Sequence, residues 1–122
     1  MSLSPNVEFN PVEFYWLAGR LYEQHKNENN EVIYRTIIGR SYYSAFLCAR
    51  QSADIKDSSP DVHRKVFNYF QAKNVTVANQ LKDLRQLRNS ADYILENKIS
   101  KREAIESLRL AKKILTTLNY SL

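Results

Sequence analysis

Arginine, asparagine and aspartate stand close together in Arg88-Asn89-Ser90-Ala91-Asp92-Tyr93, inside a stretch whose apolar residues recur at helical spacing. With about 100° per residue, Val77, Leu81, Leu84, Leu87, Ala91, Ile94 and Leu95 share one face, and Arg88 falls on that face too. A guanidinium keeps its proton in proteins and is costly to bury alone. Two partners could satisfy it. Asp92, four residues on, is at ion-pair spacing. The other is an anion from outside, for which Arg88, Arg85 and Arg40 are the candidate phosphate ligands.

Other residues bear on the same chemistry. Tyr42, Tyr43 and Tyr93 are read as core or interface aromatics, with base stacking or modification as the functional alternative. The histidines are His25 and His63. His63 is read as a packed residue beside Phe67, or as a group that folding or dimerisation brings to Arg88. Catalytic candidates are therefore Arg88, Asn89, Asp92 and His63. Cys48 sits in the apolar run Phe46-Leu47-Cys48-Ala49 and reads as a core residue; a single cysteine excludes an internal disulfide and a cysteine-based zinc site. No phosphate loop, nucleophile elbow or metal-ligand cluster is present, so neither a metal nor a cofactor is expected.

The elements that must position these groups are helices. Two glycines and three prolines in 122 residues argue against an all-β fold. The pattern predicts a single all-α domain over residues 1–122, with five helices. The first starts at Asn10-Pro11-Val12-Glu13 and runs to about Lys26; the second runs from about Glu31 to Ala53 and is apolar nearly all round, as a central helix should be. A third opens at Ser59-Pro60-Asp61 and packs through Val62, Val66, Phe67 and Phe70. The fourth covers roughly Thr76 to Glu96, and the fifth opens on a capping box, Ser100-Lys101-Arg102-Glu103. Gly19 and Gly39 fall mid-helix, where close approach of another backbone is the expected compensation.

Charge is unevenly spread. Residues 1–34 carry five acidic and two basic side chains, a sum of −3; the remainder carries 16 basic and 8 acidic, a sum of +8, giving the net +5. A basic body favours phosphate-bearing or acidic partners. Lys101-Arg102 and Lys112-Lys113 read as solvated faces. No apolar run of about 18 residues and no basic leader is present, which points to a soluble, cytoplasmic chain with no membrane partner.

Arg40-Ser41-Tyr42-Tyr43-Ser44-Ala45-Phe46, then His63 with Val66 and Phe67, then Arg88 through Ala91-Asp92-Tyr93 resemble, in that order, motifs of the HEPN superfamily. The likeness is to small stand-alone prokaryotic HEPN proteins with a tyrosine pair and an "ADY" element, and it spans roughly residues 10–120. The resemblance implies an up-and-down four-helix bundle with an additional short helix, commonly a homodimer. It implies a toxin-like partner of a minimal nucleotidyltransferase, associated with RNA or nucleotide.

Many members of that superfamily are metal-independent ribonucleases, marked by an arginine, a polar residue and a histidine four to six intervening positions after the arginine. Arg88 and Asn89 match the first two; the histidine would stand at Tyr93, Ile94 or Leu95 and does not. In some toxin–nucleotidyltransferase pairs the partner adds nucleotides to a tyrosine after that histidine; Tyr93 is the nearest counterpart, and position 95, which would match, is leucine. Without the histidine, no side chain of the motif takes a proton near neutral pH. Asp92 would need a raised pKa to do so, and Arg88 opposes that. Three readings follow: a HEPN-type RNA- or nucleotide-associated partner lacking the standard centre, a ribonuclease with a non-standard centre around Arg88, and a non-catalytic dimerisation or interaction module.

Overall fold

The computed structural model describes residues 9–122; residues 1–8 of the predicted domain lie outside this range. The described residues form five helices and no strand: α1 (Val12–His25), α2 (Glu31–Ser52), α3 (Val62–Lys73), α4 (Val75–Tyr93) and α5 (Lys101–Thr117).

Helix α2 touches all four others. Its nearly continuous apolar surface explains this: Tyr34, Ile37, Ile38, Tyr42, Ala45, Phe46 and Ala49 are all buried. One cluster joins α2 to α3, α4 and α5 through Phe46, Val66, Phe70, Leu81, Leu84 and Ile114. A second joins α1, α2 and the connection into α5 through Ala18, Ile37, Ile38 and Ile99. Cys48 is buried with Val12 and Leu115, and burial pushes its thiol up to about 11, so it is a packed, unreactive group.

Local chemistry sets the ends. Asn10 Oδ1 accepts the Val12 N–H at 3.1 Å, and the regular helix begins at Val12, just past Pro11. Asn74 is the single residue between α3 and α4. Its extended backbone breaks the helix, its N–H donates to Phe70 O at 2.7 Å, and its side chain accepts the Val77 N–H at 3.3 Å. One residue thus closes α3 and caps α4, folding the two into a tight hairpin. The capping box opens α5 as expected, with the Ser100 N–H donating to Glu103 at 2.9 Å.

Two expectations fail. Helix α4 stops at Tyr93, not Glu96; Ile94 is extended, and Leu95, assigned to the apolar stripe, is 81% exposed. The cause is a side chain distant in sequence. Arg35 of α2 donates to the carbonyls of Ser90, Ala91 and Ile94 at 3.3, 2.8 and 3.4 Å, and also to Asn97 O. Its guanidinium is held by Glu31, at 3.0 and 2.8 Å, and Glu31 also accepts the Ile99 N–H at 3.1 Å. This clamp satisfies the carbonyl end of α4 from outside and turns the chain toward α5. The glycines differ too. A Cβ at Gly19 would meet nothing within 4 Å, while one at Gly39 would meet the Asp92 carboxylate at 3.4 Å. Gly39 thus accommodates a side chain rather than a backbone.

Candidate functional site

Helices α2, α3 and α4 enclose a cavity of about 540 Å³. Tyr42 and Phe46, one turn apart on α2, supply its aromatic wall. From α3 come His63, Arg64, Val66 and Phe67. On α4, Lys82, Arg85, Gln86 and Asn89 recur at three- and four-residue steps, so one polar face of that helix runs along the cavity. Among the described residues no carboxylate lines it.

His63 is fixed by aromatic contacts and one hydrogen bond. Its ring stacks on Phe46 at 4.1 Å and lies nearly parallel to Tyr42 at 5.9 Å. Its Nδ1 is 2.6 Å from the Tyr42 hydroxyl, which leaves Nε2 as the ring nitrogen without a hydrogen bond among the described residues. Burial lowers the His63 pKa, and the charges of Arg85 and Arg88 lower it further. Burial raises the Tyr42 hydroxyl to about 12. At neutral pH both partners are therefore uncharged, and the tautomer of the ring decides whether Nε2 accepts or donates a hydrogen bond.

Arg88 lies one turn beyond Arg85. Its side chain is 20% exposed and that of Asp92 34% exposed, with Nε 3.0 Å from Asp92 Oδ2. The guanidinium carbon sits 5.5 Å from the Tyr42 ring centre and 5.0 Å from that of Tyr93. The cation is therefore partnered three ways, by a carboxylate and two π-faces, without full burial. Tyr93 ends α4 and is 66% exposed. Arg85 and Lys82 make no ion pair among the described residues, whereas Arg64 pairs with Asp61 at 3.0 Å. Free cations at the cavity and a paired one beside it make an anion-attracting rim.

The fold thus gathers most of the candidates. Tyr42, His63, Arg85 and Asn89 line the cavity, and Arg88 with Asp92 and Tyr93 borders it through Tyr42. Arg40 and Tyr43 are placed elsewhere: the Arg40 guanidinium lies 5.5 Å from Phe14 and 5.3 Å from Tyr43, whose ring stacks on Phe14 at 6.0 Å. Sequence reasoning missed Lys82, Gln86, Arg64 and the Phe46 platform. The spacing of Lys82, Arg85, Gln86 and Asn89 was the available signal. It shows a shared face but not what the face looks onto. No group of three or more His, Cys, Asp or Glu side chains suited to a metal occurs among the described residues, and no helix among them is long and apolar enough to cross a membrane.

Uncharacterized protein MJ0992 of Methanocaldococcus jannaschii is 33% identical over 138 aligned positions, which span 92% of this chain and 77% of that protein. Uncharacterized protein MJ0628 of the same organism is 33% identical over 110, spanning 73% of this chain and 66% of that protein. No protein-family model and no solved structure matches the chain. This chain belongs to the family of MJ0992.

Proposed function

We propose that this chain is a HEPN-type helical domain that binds RNA or a nucleotide and acts in the cytoplasm as the toxin-like partner of a nucleotidyltransferase, without the standard ribonuclease centre. Four longer helices, α1, α2, α4 and α5, with the shorter α3, suit that architecture. The observation that carries the reading is the cavity rim: among the described residues, Arg85 and Lys82 have no ion pair, Arg88 stands one turn on, and no acidic side chain joins the lining. Such a rim collects phosphates by charge, while the exposed Tyr93 and the half-buried His63 offer aromatic faces to unpaired bases. Retention of single-stranded RNA at low salt, weakened in Arg85→Ala and lost as salt rises, supports the reading. No retention at any salt, together with no complex on co-expression with a nucleotidyltransferase encoded beside it, removes it.

The Tyr42–His63 pair favours a second reading, RNA cleavage without metal. The 2′-oxygen bonds to the adjacent phosphorus as His63 Nε2 takes its proton. The P–O5′ bond breaks, and the leaving oxygen takes a proton from water, giving a 2′,3′-cyclic phosphate and a 5′-hydroxyl. Arg85 and Arg88 stabilise the charge on the phosphorane. Cleavage in EDTA by the wild type, lost in both His63→Ala and Arg88→Ala, upholds it. Equal cleavage by all three, or none by the wild type, discards it.

A further inference from the structure

We propose that the open groove between α1 and α5 is a docking site for an amphipathic helix of another protein, one that carries carboxylates along both flanks. The groove shares no residue with the cavity between α2, α3 and α4, and among the described residues α1 contacts neither α3 nor α4. The inference therefore goes beyond the RNA reading and does not depend on it.

The first observation is Gly19. A glycine inside a helix costs stability relative to alanine, and close approach of another backbone is the usual compensation. Among the described residues nothing approaches: a Cβ at Gly19 would meet no atom within 4 Å. Gly19 stands instead in the wall of a groove of about 530 Å³, with Trp16 and Arg20 on α1 and Leu108 on α5. A residue without a side chain at that point lets a foreign helix come close.

The second observation is apolar surface left in water. Trp16 is 40% exposed and Ile105 is 44% exposed. On α5, Lys101, Ile105, Leu108 and Lys112 follow at steps of four, three and four residues, so they form one stripe with two aliphatic residues between two lysines. Val12 clusters with Leu115 and Ala18 with Ala104, so α1 and α5 run antiparallel and their outer residues make the two walls of one trough. The stripe is about 16 Å long, or about three helical turns. That length suits a helix presenting anchors at i, i+3 or i+4, and i+7.

Charge selects the partner. Arg20, Lys101 and Lys112 have no ion pair among the described residues. Glu23, the acidic residue of the α1 wall, is taken by Lys26 at 2.8 Å. Both walls thus present unanswered positive charge beside an apolar floor. Carboxylates flanking the apolar stripe of a helix answer both. A second copy does not, because in a two-fold contact this face meets itself, cation against cation. A nucleic-acid strand leaves Ile105 and Leu108 uncovered, since aliphatic side chains give a base no ring to stack on.

Trp16 is the single tryptophan of the chain, so its emission reports occupancy of the groove. The probes are tryptophan-free, lactam-bridged helical peptides of about four turns, with Leu, Met or Phe at the anchor positions and Glu on both flanks, and the same peptides with Lys in place of Glu. The expected result is a saturable blue shift of Trp16 emission in the full-length chain with at least one Glu peptide, and at least about tenfold weaker binding of its Lys counterpart. Gly19→Ala, whose methyl enters open space, should unfold at a higher temperature than the wild type; a lower one would return the glycine to the chain's own packing and overturn the proposal. Gly19→Leu should fold as stably as the wild type and bind the Glu peptide at least about tenfold more weakly. The double variant Lys101→Glu, Lys112→Glu should shift its preference to the Lys peptide. The proposal is overturned if no Glu peptide shifts Trp16, if Glu and Lys peptides bind alike, or if Gly19→Leu binds as the wild type does. A dimer in sedimentation that Gly19→Leu abolishes would seat a second copy in the groove, and a Trp16 shift produced by single-stranded RNA would seat a nucleic acid there; either outcome overturns it too.

Discussion

The Asp92 carboxylate lies against Gly39 of α2 while accepting a hydrogen bond from Arg88 Nε at 3.0 Å. Glycine at 39 therefore gives the carboxylate its seat, and the carboxylate holds the arginine beside Tyr42. A methyl group there would stand 3.4 Å from Asp92 Oδ1, an ordinary contact. Gly39→Ala should thus be tolerated, and thermal unfolding should show a change between neutral and a gain of about 1 kcal/mol from helix propensity. Gly39→Leu should displace Asp92, loosen Arg88 and lower RNA retention. Equal RNA retention by Gly39→Leu and wild type would mean that this seat does not position the arginine.

Arg88→Leu separates ligand binding from structure. The pair is only partly buried, and the loss should fall between that of an exposed pair and that of a buried one, about 1–2 kcal/mol by urea unfolding. The fold should survive and RNA retention should drop. A loss above about 4 kcal/mol would assign the arginine to neutralising Asp92 alone.

Titration of His63 should track stability with a definite sign. Its pKa is lowered in the folded chain by burial and by Arg85 and Arg88, so below about pH 6.5 the unfolded chain binds more protons there than the folded one. Stability should therefore fall as pH drops through that window. His63→Gln should remove this part of the slope, and Arg85→Ala should raise the His63 pKa seen by NMR. An unmoved pKa in Arg85→Ala would show that the arginine's field does not reach the ring.

Arg35 should be a principal stability determinant although no site requires it. Arg35→Ala frees the carbonyls at the end of α4, and unfolding should register a loss of about 2–3 kcal/mol. Glu31 is held below the usual carboxylate range, first by the Ile99 N–H and then by Arg35. Its contribution is present above the unfolded pKa and is lost as pH falls through the lower folded value. Faster amide exchange at Ile99 below pH 4 than at pH 6, after correction for intrinsic rates, would register that loss; unchanged protection would exclude it.

The helices were legible because their periodicity and caps are local. The capping box at Ser100 announced α5 within four residues, and the structure shows Asn30 and Asn74 capping α2 and α4 just as locally. The end of α4 was not legible, since Arg35 lies 55 residues away from Ser90 and nothing near Tyr93 records its arrival. The site was half legible. Arg88 and Asp92 are one turn apart, so their pairing follows from the helix. That His63 would meet Tyr42, and that Arg40 would turn to Phe14, depends on how α3 and α1 dock on α2, which no spacing within one helix encodes.

The salt dependence of single-stranded RNA binding, wild type against Arg85→Ala, reaches the central claim most directly. The affinity should fall linearly with salt on logarithmic axes, and Arg85→Ala should both weaken binding and reduce the slope by about 0.7. Binding that is absent at low salt, or identical in slope and strength for the two proteins, would contradict it.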